Sequence, residues 1–597
     1  MFIERDIIVG TLHKTLDSCS KLIKEGDYEN SKKSISDLVD FLTSISDYLI
    51  EAESENEDFE DISIEILVQI HQYLASPSIK QEVIDALAFE VPKAVVRFAH
   101  VSGRCMEVAE NVVDLFVEKC GPRDMLPILC EALGSPSELF TVSVYFIPIL
   151  SGLVKVIFLI QRRHYEQVKT VVPVVLNVLS IISFKSDDED EDYEKLFHKA
   201  IDLANSIKAV HAKLEGKDNH KLRALLGLYI LQIMALVSTG MRSEISRNLQ
   251  VVLELSDFLR HCELSYIGLI TGCEVDVISK LVLEDDSDDD MGCFSQIKLG
   301  AALGVIWGYQ TSEDAMAAKA DMSTVIMELQ NNWTSRWEAI GMLKHIFSCP
   351  NLSWELKKHA IGFLLCIMDG IVSPSYDNHL DYSVHMATFY TSLQAIEMVI
   401  MYASDALLRK NAFDAFKKVL ADIPTSVRLD VLRALITSSE SSSMIGILID
   451  LVKEELRVGR AGINSSSNLV LKNENCTSFW SPLVLEFVEV VLRPPNGGPP
   501  SLPEYSDAVL SALNLYRFIF ITESTGDSNY TGILSKDKLH KAYNEWLLPL
   551  RSLVTRTMVE NQNDCDELES DIIFGMNPVE LVLYRCIELV EEKLKHL

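Results

Sequence analysis

Asp61–Leu74 reads DISIEILVQIHQYL, with apolar residues at Ile62, Ile64, Ile66, Leu67, Ile70 and Leu74, most of which fall within one arc of a helix with 3.6 residues per turn. That spacing places them on one stripe of a helix, whereas a strand would alternate apolar and polar residues. Val427–Ile436, VRLDVLRALI, has the same pattern in the last third of the chain. Gly and Pro supply only 26 and 18 of the 597 residues, which disfavours an all-β protein rich in tight turns. The sequence therefore predicts a long, all-α protein.

Short breaks that contain Gly or Pro separate the helical stretches. They lie at 121–122, 134–136, 373–374, 423–424 and 494–500. Each break supplies a helix stop followed by a helix start. Helix–turn–helix units at intervals of about 35–45 residues are typical of HEAT and armadillo solenoids. Because the units share no clear consensus, we expect an irregular HEAT/armadillo-like α-solenoid in two helical halves.

Three acidic tracts interrupt the helical pattern, at Glu51–Asp61, Ser186–Asp192 and Glu284–Asp290. Clustered like charges repel one another, so we expect solvated loops there. The third tract resembles a fragment of a calcium loop, but it lacks the turn glycine and the closing glutamate of such loops. We therefore expect no metal site, and we place the boundary between an N-terminal region, 1–290, and a C-terminal region, 291–597, at this tract.

The net charge excludes two classes of partner. Asp and Glu number 87 against 54 Lys and Arg, which gives −33 at pH 7. Such a polyanion is repelled by nucleic-acid phosphates and by anionic membrane surfaces. Leu139–Ile160 is apolar and long enough to span a bilayer. Pro148, Gly152 and Lys155 interrupt this stretch, so we expect a helix that is buried inside the helical array, and no membrane partner.

The chain shows no recognisable catalytic motif. It lacks nucleotide-binding glycine loops, the GxSxG nucleophile motif and the HExxH zinc motif. Its 12 cysteines are scattered without a CxxC pair, which favours buried, reduced thiols over a zinc or disulfide framework. We therefore predict a protein that is not an enzyme, with no cofactor and no small-molecule substrate, whose function is binding.

Basic residues stand out against the acidic background in the segment DLVKEELRVGR, which contains Lys453, Arg457 and Arg460. A positive spot on an acidic solenoid can meet an acidic edge of a partner. The alternative is structural, because cations at the C-terminal end of a helix interact favourably with its dipole. Trp480, one of six tryptophans, is a candidate aromatic anchor for the same partner.

The last 200 residues contain a series of motifs. Ala508–Lys536 includes Leu513-Asn514-Leu515, Arg517 followed by the aromatic Phe518, and Asn529-x-Thr531-Gly532. Leu548-Pro549-Leu550 comes later, and an aromatic entry to an apolar helix lies upstream in Ser478–Pro494. In these motifs the chain resembles the glomulin/aberrant root formation protein family, and the whole chain is most similar to its plant member. Towards the N-terminus the similarity thins to fragments, so specificity comes from the order of these motifs along the chain.

That resemblance implies an all-helical protein that binds the RING-box subunit of cullin–RING ubiquitin ligases. Its C-terminal half would cover the surface where the ubiquitin-conjugating enzyme docks, and so inhibit ubiquitin transfer. In plants the implied roles are in auxin signalling and lateral root formation, in the nucleus and cytoplasm. The partner-binding residues expected on this basis are Lys453, Arg457, Arg460, Trp480 and Arg517. An alternative interpretation is that Arg517 is a buried arginine that holds adjacent helices together.

A second interpretation stays open, because solenoid periodicity and acidity also suit a helical scaffold or a transport adaptor of the armadillo or importin type. The basic nuclear-localisation peptides that such adaptors carry would bind with a steep dependence on salt.

Overall fold

The computed structural model of the chain describes residues 5–51, 57–134, 142–185, 191–214, 216–240, 249–283, 289–370, 385–465, 479–493, 497–526, 528–562 and 567–596. Every regular element in these ranges is a helix. The chain forms two compact units, Met1–Ile371 and Val372–Leu597. The predicted all-α, HEAT/armadillo-like fold class is confirmed.

The first unit is built from helices that mostly pack against helices near to them in sequence. They are α1 Arg5–Glu25, α2 Tyr28–Glu51, α3 Glu57–Ala75, α4 Gln81–Leu87, α5 Val91–Val95, α6 Gly103–Cys120, α7 Pro122–Gly134, α8 Phe146–Leu159, α9 His164–Lys185, α10 Glu191–His211, α11 Lys217–Gly240, α12 Leu249–His261, α13 Tyr266–Thr271, α14 Cys273–Leu283, α15 Ile297–Gln310, α16 Ser312–Ala317, α17 Met322–Asn331, α18 Trp333–Ser348 and α19 Trp354–Met368.

The second unit continues the same local packing, in which each helix covers the apolar stripe of a helix close to it in sequence. Its helices are α20 Met386–Tyr402, α21 Ala406–Asp422, α22 Thr425–Ser438, α23 Ser442–Ser465, α24 Val484–Leu492, α25 Ser506–Thr525, α26 Lys536–Lys541, α27 Leu548–Gln562 and α28 Glu567–Lys595.

The amphipathic stretches and breaks fall largely where the sequence predicts them. Asp61–Leu74 lies in α3 and Val427–Ile436 lies in α22. Gly121 ends α6 with a φ of 85°, a conformation that glycine adopts without the steric cost of a side chain, and α7 follows directly. The breaks at 121–122 and 423–424 are confirmed, whereas 373–374 lies outside the described residues.

The acidic tracts are only partly described, and the described parts are not loops. The residues after 56 open α3, those after 190 open α10, and Asp289–Phe294 forms a 3₁₀ turn. The prediction of loops was wrong for these parts, because regular structure begins within the tracts and not after them. Residues 52–56, 186–190 and 284–288 lie outside the described residues.

The predicted boundary at 290/291 falls inside the first unit, which extends to Ile371. The physical reason is that α15, which follows the third acidic tract, packs closely along α11, which precedes it. Gly300 of α15 makes this approach possible, since a Cβ at that position would lie 1.8 Å from the carbonyl oxygen of Leu231.

Of the apolar stretch that resembles a membrane span, the described part, from residue 142 on, forms a 3₁₀ turn at Ser143–Tyr145 followed by α8, which is buried among α6, α7 and α10. Its Lys155 pairs with Asp114 of α6, which explains the charge in an apolar helix. Two other helical segments, His164–Ser183 and Asp218–Gly240, are long and apolar enough to cross a membrane by length and composition alone. Half of the first and 89% of the second are buried inside the protein, as in core helices.

The described cysteines are free thiols, and they do not all fit the expectation of burial. Cys19, Cys105, Cys130, Cys262 and Cys586 are buried, whereas Cys273 is exposed. Cys120, Cys293, Cys349 and Cys366 are half-buried.

Candidate partner-binding site

The C-terminal half of α23 carries the basic residues singled out in the sequence. Its inner side buries Val452 and Leu456, and the helix packs along α25. Lys453 is half-buried and Arg457 is exposed. Because the two are four residues apart, they lie on the same helical face.

Arg457 lies over an aromatic ring of the neighbouring helix. Its guanidinium carbon is 5.8 Å from the centroid of the Phe518 ring on α25. It also pairs with Glu454 at 3.4 Å. Both partners of that ion pair are more than half exposed, so the pair contributes little to stability. The guanidinium is therefore presented to solvent beside an aromatic ring, and both arginine and phenylalanine are enriched at protein–protein interfaces.

Trp480 is buried behind this surface, where it contacts both α23 and Phe518. Its side chain is only 7% exposed, and its indole Nε1 donates a hydrogen bond to the Leu456 carbonyl oxygen at 3.0 Å. The centroid of its ring lies 6.5 Å from that of Phe518. The aromatic pair and the bond to α23 hold Phe518 beneath Arg457, so Trp480 contributes to the site through Phe518.

Arg460 ties the end of α23 to α25. Its Nη1 donates a hydrogen bond to the Thr522 carbonyl oxygen at 3.1 Å. The cation is thus engaged in fixing two helices, and it also adds positive charge to the surface around Arg457.

Arg517 lies apart from this group and faces α28. Burial raises the pKa of the Cys586 thiol on α28 to about 12, and the positive charge of Arg517 acts in the opposite direction. Arg517 is half-buried and occupies the α25–α28 side of the helix, whereas Phe518 faces α23. The structure therefore brings together Lys453, Arg457, Arg460 and Trp480 but not Arg517.

Sequence reasoning missed the residues that position α23. Arg428 of α22 is 8% exposed and donates hydrogen bonds to the carbonyl oxygens of Ala421 and Ile423, at 2.9 and 2.8 Å. It also pairs with Glu455 of α23. No local signal marks such a residue, because its partners come from three different segments. Phe518 was visible as an aromatic residue after Arg517, but its place under Arg457 depends on helix packing.

The two helices that carry the cationic residues and Phe518 also expose apolar side chains. Val458 of α23 is 63% exposed and Ile521 of α25 is 40% exposed. Within the described ranges, no group of three or more His, Cys, Asp or Glu residues is placed to hold a metal ion. We call the surface formed by Lys453, Arg457, Arg460, Phe518 and Ile521 the α23–α25 surface.

A family model described as an uncharacterised protein family, YAP/Alf4/glomulin, matches residues 24–263 and 374–586, which is more than half of the chain. The chain belongs to the YAP/Alf4/glomulin family. Both matched segments are helical in the described residues, and the second contains the whole α23–α25 surface.

Relatives within the YAP/Alf4/glomulin family differ widely in their similarity to this chain. Aberrant root formation protein 4 of Arabidopsis thaliana is 45% identical over 595 residues, which cover 98% of this chain and 92% of the relative. Glomulin of Homo sapiens is 23% identical over 175 residues, 29% of this chain and 27% of that protein. The predicted family resemblance is confirmed.

Solved structures match this family member only weakly. Importin beta is 11% identical, with 92% of this chain and 68% of that chain covered and a TM-score of 0.22. Importin13 in its cytosolic state is 12% identical, with 98% and 80% covered and a TM-score of 0.23. Scores at this level carry no argument about architecture or function.

Proposed function

We propose that this protein is a non-catalytic regulator of cullin–RING ubiquitin ligases, which binds the RING-box subunit and masks the surface where the ubiquitin-conjugating enzyme docks. The observation that carries the proposal is membership of the YAP/Alf4/glomulin family, with the matched segment 374–586 spanning the second unit from its start to α28. The similarity of the C-terminal motifs to glomulin implies the same class of partner.

The α23–α25 surface is suited to this task by its chemistry. Masking a docking surface requires a broad, rigid face and no catalytic group, and a standard interface buries about 1,600 Å² in total. Arginine and aromatic residues, phenylalanine included, are enriched at protein–protein interfaces, and exposed apolar side chains beside them offer area that a partner can bury. The cations Lys453 and Arg457 would meet an acidic edge of the partner and so set its orientation.

The proposed biological setting follows from the same family membership. The similarity to aberrant root formation protein 4 supports a role in root development in a plant, with auxin signalling as the implied pathway. We place the protein in the nucleus and cytoplasm, where cullin–RING ligases act.

The proposal is tested with the purified full-length chain and a purified cullin–RING-box complex. We expect a stable complex in a pull-down, and a ubiquitin-chain assay that slows as the chain is added in stoichiometric amounts. Because the mechanism is competition, excess ubiquitin-conjugating enzyme should restore the rate. A protein that fails to bind the complex at micromolar concentration would overturn the proposal.

Two further outcomes distinguish this function from the alternative. Binding to the ligase with no loss of ubiquitin transfer would indicate a scaffold instead of an inhibitor. Binding of a basic nuclear-localisation peptide, with affinity that falls steeply as salt rises, would indicate a transport adaptor.

A further inference from the structure

A cleft of about 480 Å³ lies in the first unit, where α11, α14 and the link between α12 and α13 meet. The residues of all three walls are among those that the structure describes. Apolar side chains come from each wall, namely Ala224, Leu264, Val277, Ile278 and Leu281. The volume falls within the range of about 300–1,000 Å³ that is typical of binding pockets. The cleft is therefore large enough to receive an apolar side chain of a partner.

Three of the lining side chains converge on Gly227 of α11. A Cβ at that position would lie 3.3 Å from Ile278, 3.4 Å from Leu264 and 3.6 Å from Cys262. The walls are therefore fixed by close packing, and a preformed wall loses little conformational freedom when a ligand binds.

The cleft exposes apolar surface on α14. Val277 is 65% exposed, and Leu281, one turn later, is half-buried on the same helical face. Surface of this kind is hydrated in the free chain, so its removal from water favours association. An apolar side chain that enters the cleft would gain from this contact.

An ion pair in the lining presents its acidic member to solvent. Arg223 of α11 pairs with Glu263 of the link. The side chain of Arg223 is 20% exposed, whereas that of Glu263 is 69% exposed. Arg223 is held further by His220, whose Nδ1 accepts a hydrogen bond from Nη2 at 3.2 Å. The carboxylate is therefore the charge that a partner meets first.

Glu263 occupies a backbone position that favours glycine. It follows the end of α12 with a φ of 57°, in the left-handed region. Its N–H donates to the Arg260 carbonyl oxygen at 3.1 Å, and the Leu264 N–H donates to the Leu259 carbonyl oxygen at 2.9 Å, as in the Schellman motif of helix ends. A side chain at such a position costs free energy that glycine would not. Because strained residues cluster at functional sites, the Glu263 carboxylate is a candidate for partner binding.

The charge of the lining favours a cationic partner. Two carboxylates, Glu263 and Glu274, line the cleft together with one guanidinium, Arg223, which is already paired. Glu274 is held in place, since its carboxylate accepts hydrogen bonds from the Ser265 N–H at 2.7 Å and from the Ser265 hydroxyl at 2.8 Å. Both acids are thus positioned to attract a cation at the cleft.

The lysines of the neighbouring helix turns do not reverse this balance. Lys221 has its Nζ 5.6 Å from the centroid of the Tyr165 ring on α9. Because two residues along a helix turn it by about 200°, Lys221 lies on the side of α11 opposite Arg223. Lys280 of α14 is exposed, but the same helix also exposes Asp276, and the residues that follow it in sequence, Glu284–Asp290, include six acids. The charge of −33 on the whole chain acts in the same direction.

We infer that this cleft, which we call the α11–α14 cleft, binds a cationic segment of a partner protein that carries a large apolar side chain. The apolar side chain packs against Leu264, Val277 and Leu281. A lysine or arginine beside it pairs with Glu263, whose carboxylate can accept hydrogen bonds from this cation and from Arg223 at once. The inference does not rest on the proposed function, since the cleft lies in the first unit and the α23–α25 surface lies in the second.

The test is fluorescence polarisation with the full-length chain and a labelled peptide that has a central Leu between lysines. The variant Glu263→Lys should weaken binding by about tenfold, because attraction becomes repulsion. The matched control is Glu107→Lys on α6, which makes the same change of charge at an exposed residue of the same unit. It should change binding by less than about twofold. Unchanged binding by a folded Glu263→Lys chain overturns the inference, as does an equal loss in the control.

A second variant keeps the test decisive if the new lysine, which would face Arg223, disturbs folding. Glu263→Gly removes the carboxylate and supplies the residue that the left-handed position favours. The variant should unfold at about the same urea concentration as the unmodified chain, while the peptide binds about threefold more weakly. A loss of stability that matches the loss of binding would identify Glu263 as a structural residue and overturn the inference.

Changes in the peptide test the apolar half of the inference. A peptide with Ser in place of the central Leu should bind about tenfold more weakly, because the apolar contact is lost. Equal binding of the two peptides would overturn the inference in favour of general attraction between a cationic peptide and an acidic chain, and a Leu peptide that does not bind at micromolar concentration would also overturn it. A pull-down of the RING-box complex with the Glu263→Lys chain keeps the two proposals separate, because it should still succeed.

Discussion

Helices α11 and α23 each have 24 residues, but they bury different amounts of their surface. From Leu222 to Val237 nearly every side chain of α11 is buried, whichever direction it faces. In α23 the buried residues recur at helical spacing, as in Leu448, Val452 and Leu456, and the other side is open. Packing therefore constrains nearly every residue of α11 between Leu222 and Val237, whereas the outer positions of α23 are available for partner chemistry.

The polar groups around the two helices differ in the same way. The polar groups that are fully buried along α11 are neutral: Ser238 Oγ accepts a bond from the Trp307 indole at 3.1 Å, and Gln232 accepts one from a backbone N–H. Near α23, by contrast, the neighbouring helix α22 buries the cation Arg428; ionisable groups are buried in both units, with Asp314, Arg336 and Lys357 in helices of the first unit other than α11 and Glu397 and Glu523 in the second. We expect α11 to respond mainly to changes of volume and the surroundings of α23 to changes of charge.

The largest loss of stability should come from disrupting the close packing of α15 against α11. In Gly300→Ala the new methyl group would lie 1.8 Å from the Leu231 carbonyl oxygen, a backbone atom that cannot rotate away. We expect a loss of about 4 kcal/mol in the free energy of unfolding, measured by urea denaturation followed by circular dichroism. The matched control is Gly362→Ala on α19, where no atom lies within 4 Å of the new Cβ and the helix should gain about 0.5–1 kcal/mol. Equal responses at the two glycines would contradict the comparison.

The second-largest loss of stability should come from removing the buried guanidinium of Arg428, which lies against α23. Arg428→Met leaves the Glu455 carboxylate and two carbonyl oxygens without their donor, so we expect a loss of about 3 kcal/mol. Arg433→Met on the same helix removes an exposed pair with Glu486, at 2.8 Å, and should cost less than about 1 kcal/mol. If the two variants unfold at the same urea concentration, Arg428 does not position α23 as described.

Glu397 makes the second unit sensitive to pH. Burial raises the pKa of its carboxyl from 4.5 to about 8, and its Oε1 has no hydrogen-bond partner among the described residues. Between these values the unfolded chain releases the proton and the folded chain keeps it, so stability falls as pH rises. The expected fall from pH 5 to pH 8 is on the order of 3 kcal/mol.

The variant Glu397→Gln isolates this effect. It should be close to the unmodified chain in stability at pH 5 and more stable at pH 8, because an amide carries no charge to bury. Urea denaturation at the two pH values measures the difference, and a gap that does not widen with pH would show that the carboxyl is solvated.

Features that leave a local signal in the sequence could be predicted, and features that depend on distant helices could not. The periodicity of α3 and α22, and the glycine and prolines between helices, act within a few residues, so they are visible in one chain. Arg517 and Phe518 are adjacent in one sequence motif, but their side chains lie towards different helices: Arg517 towards α28 and Phe518 towards α23. The pairing of Arg428 with Glu455 and the extent of the first unit depend on which distant helices meet, and periodicity does not encode that.

The smallest change in stability should come from the outer face of α23. We expect Lys453→Glu/Arg457→Glu to alter the free energy of unfolding by less than about 0.5 kcal/mol, because Arg457 and its pair with Glu454 are exposed. Binding to the RING-box complex should weaken by more than about 1–2 kcal/mol, since the cations would face an acidic edge of the partner. Isothermal titration calorimetry and a thermal melt measure the two quantities on the same sample.

The α26 variant Lys536→Glu/Lys538→Glu serves as the control for that experiment, because it lowers the net charge by the same amount away from the α23–α25 surface. An equal loss of binding in both variants would mean that long-range charge, and not this surface, determines affinity. A loss of folding that matches the loss of binding would identify Lys453 and Arg457 as structural residues; a role at the helix end does not apply, because α23 continues to Ser465 and has no basic residue in its last turn. Only a loss of binding without a loss of stability would show that the open side of α23 binds a partner. The buried middle of helix α11, by contrast, serves packing alone.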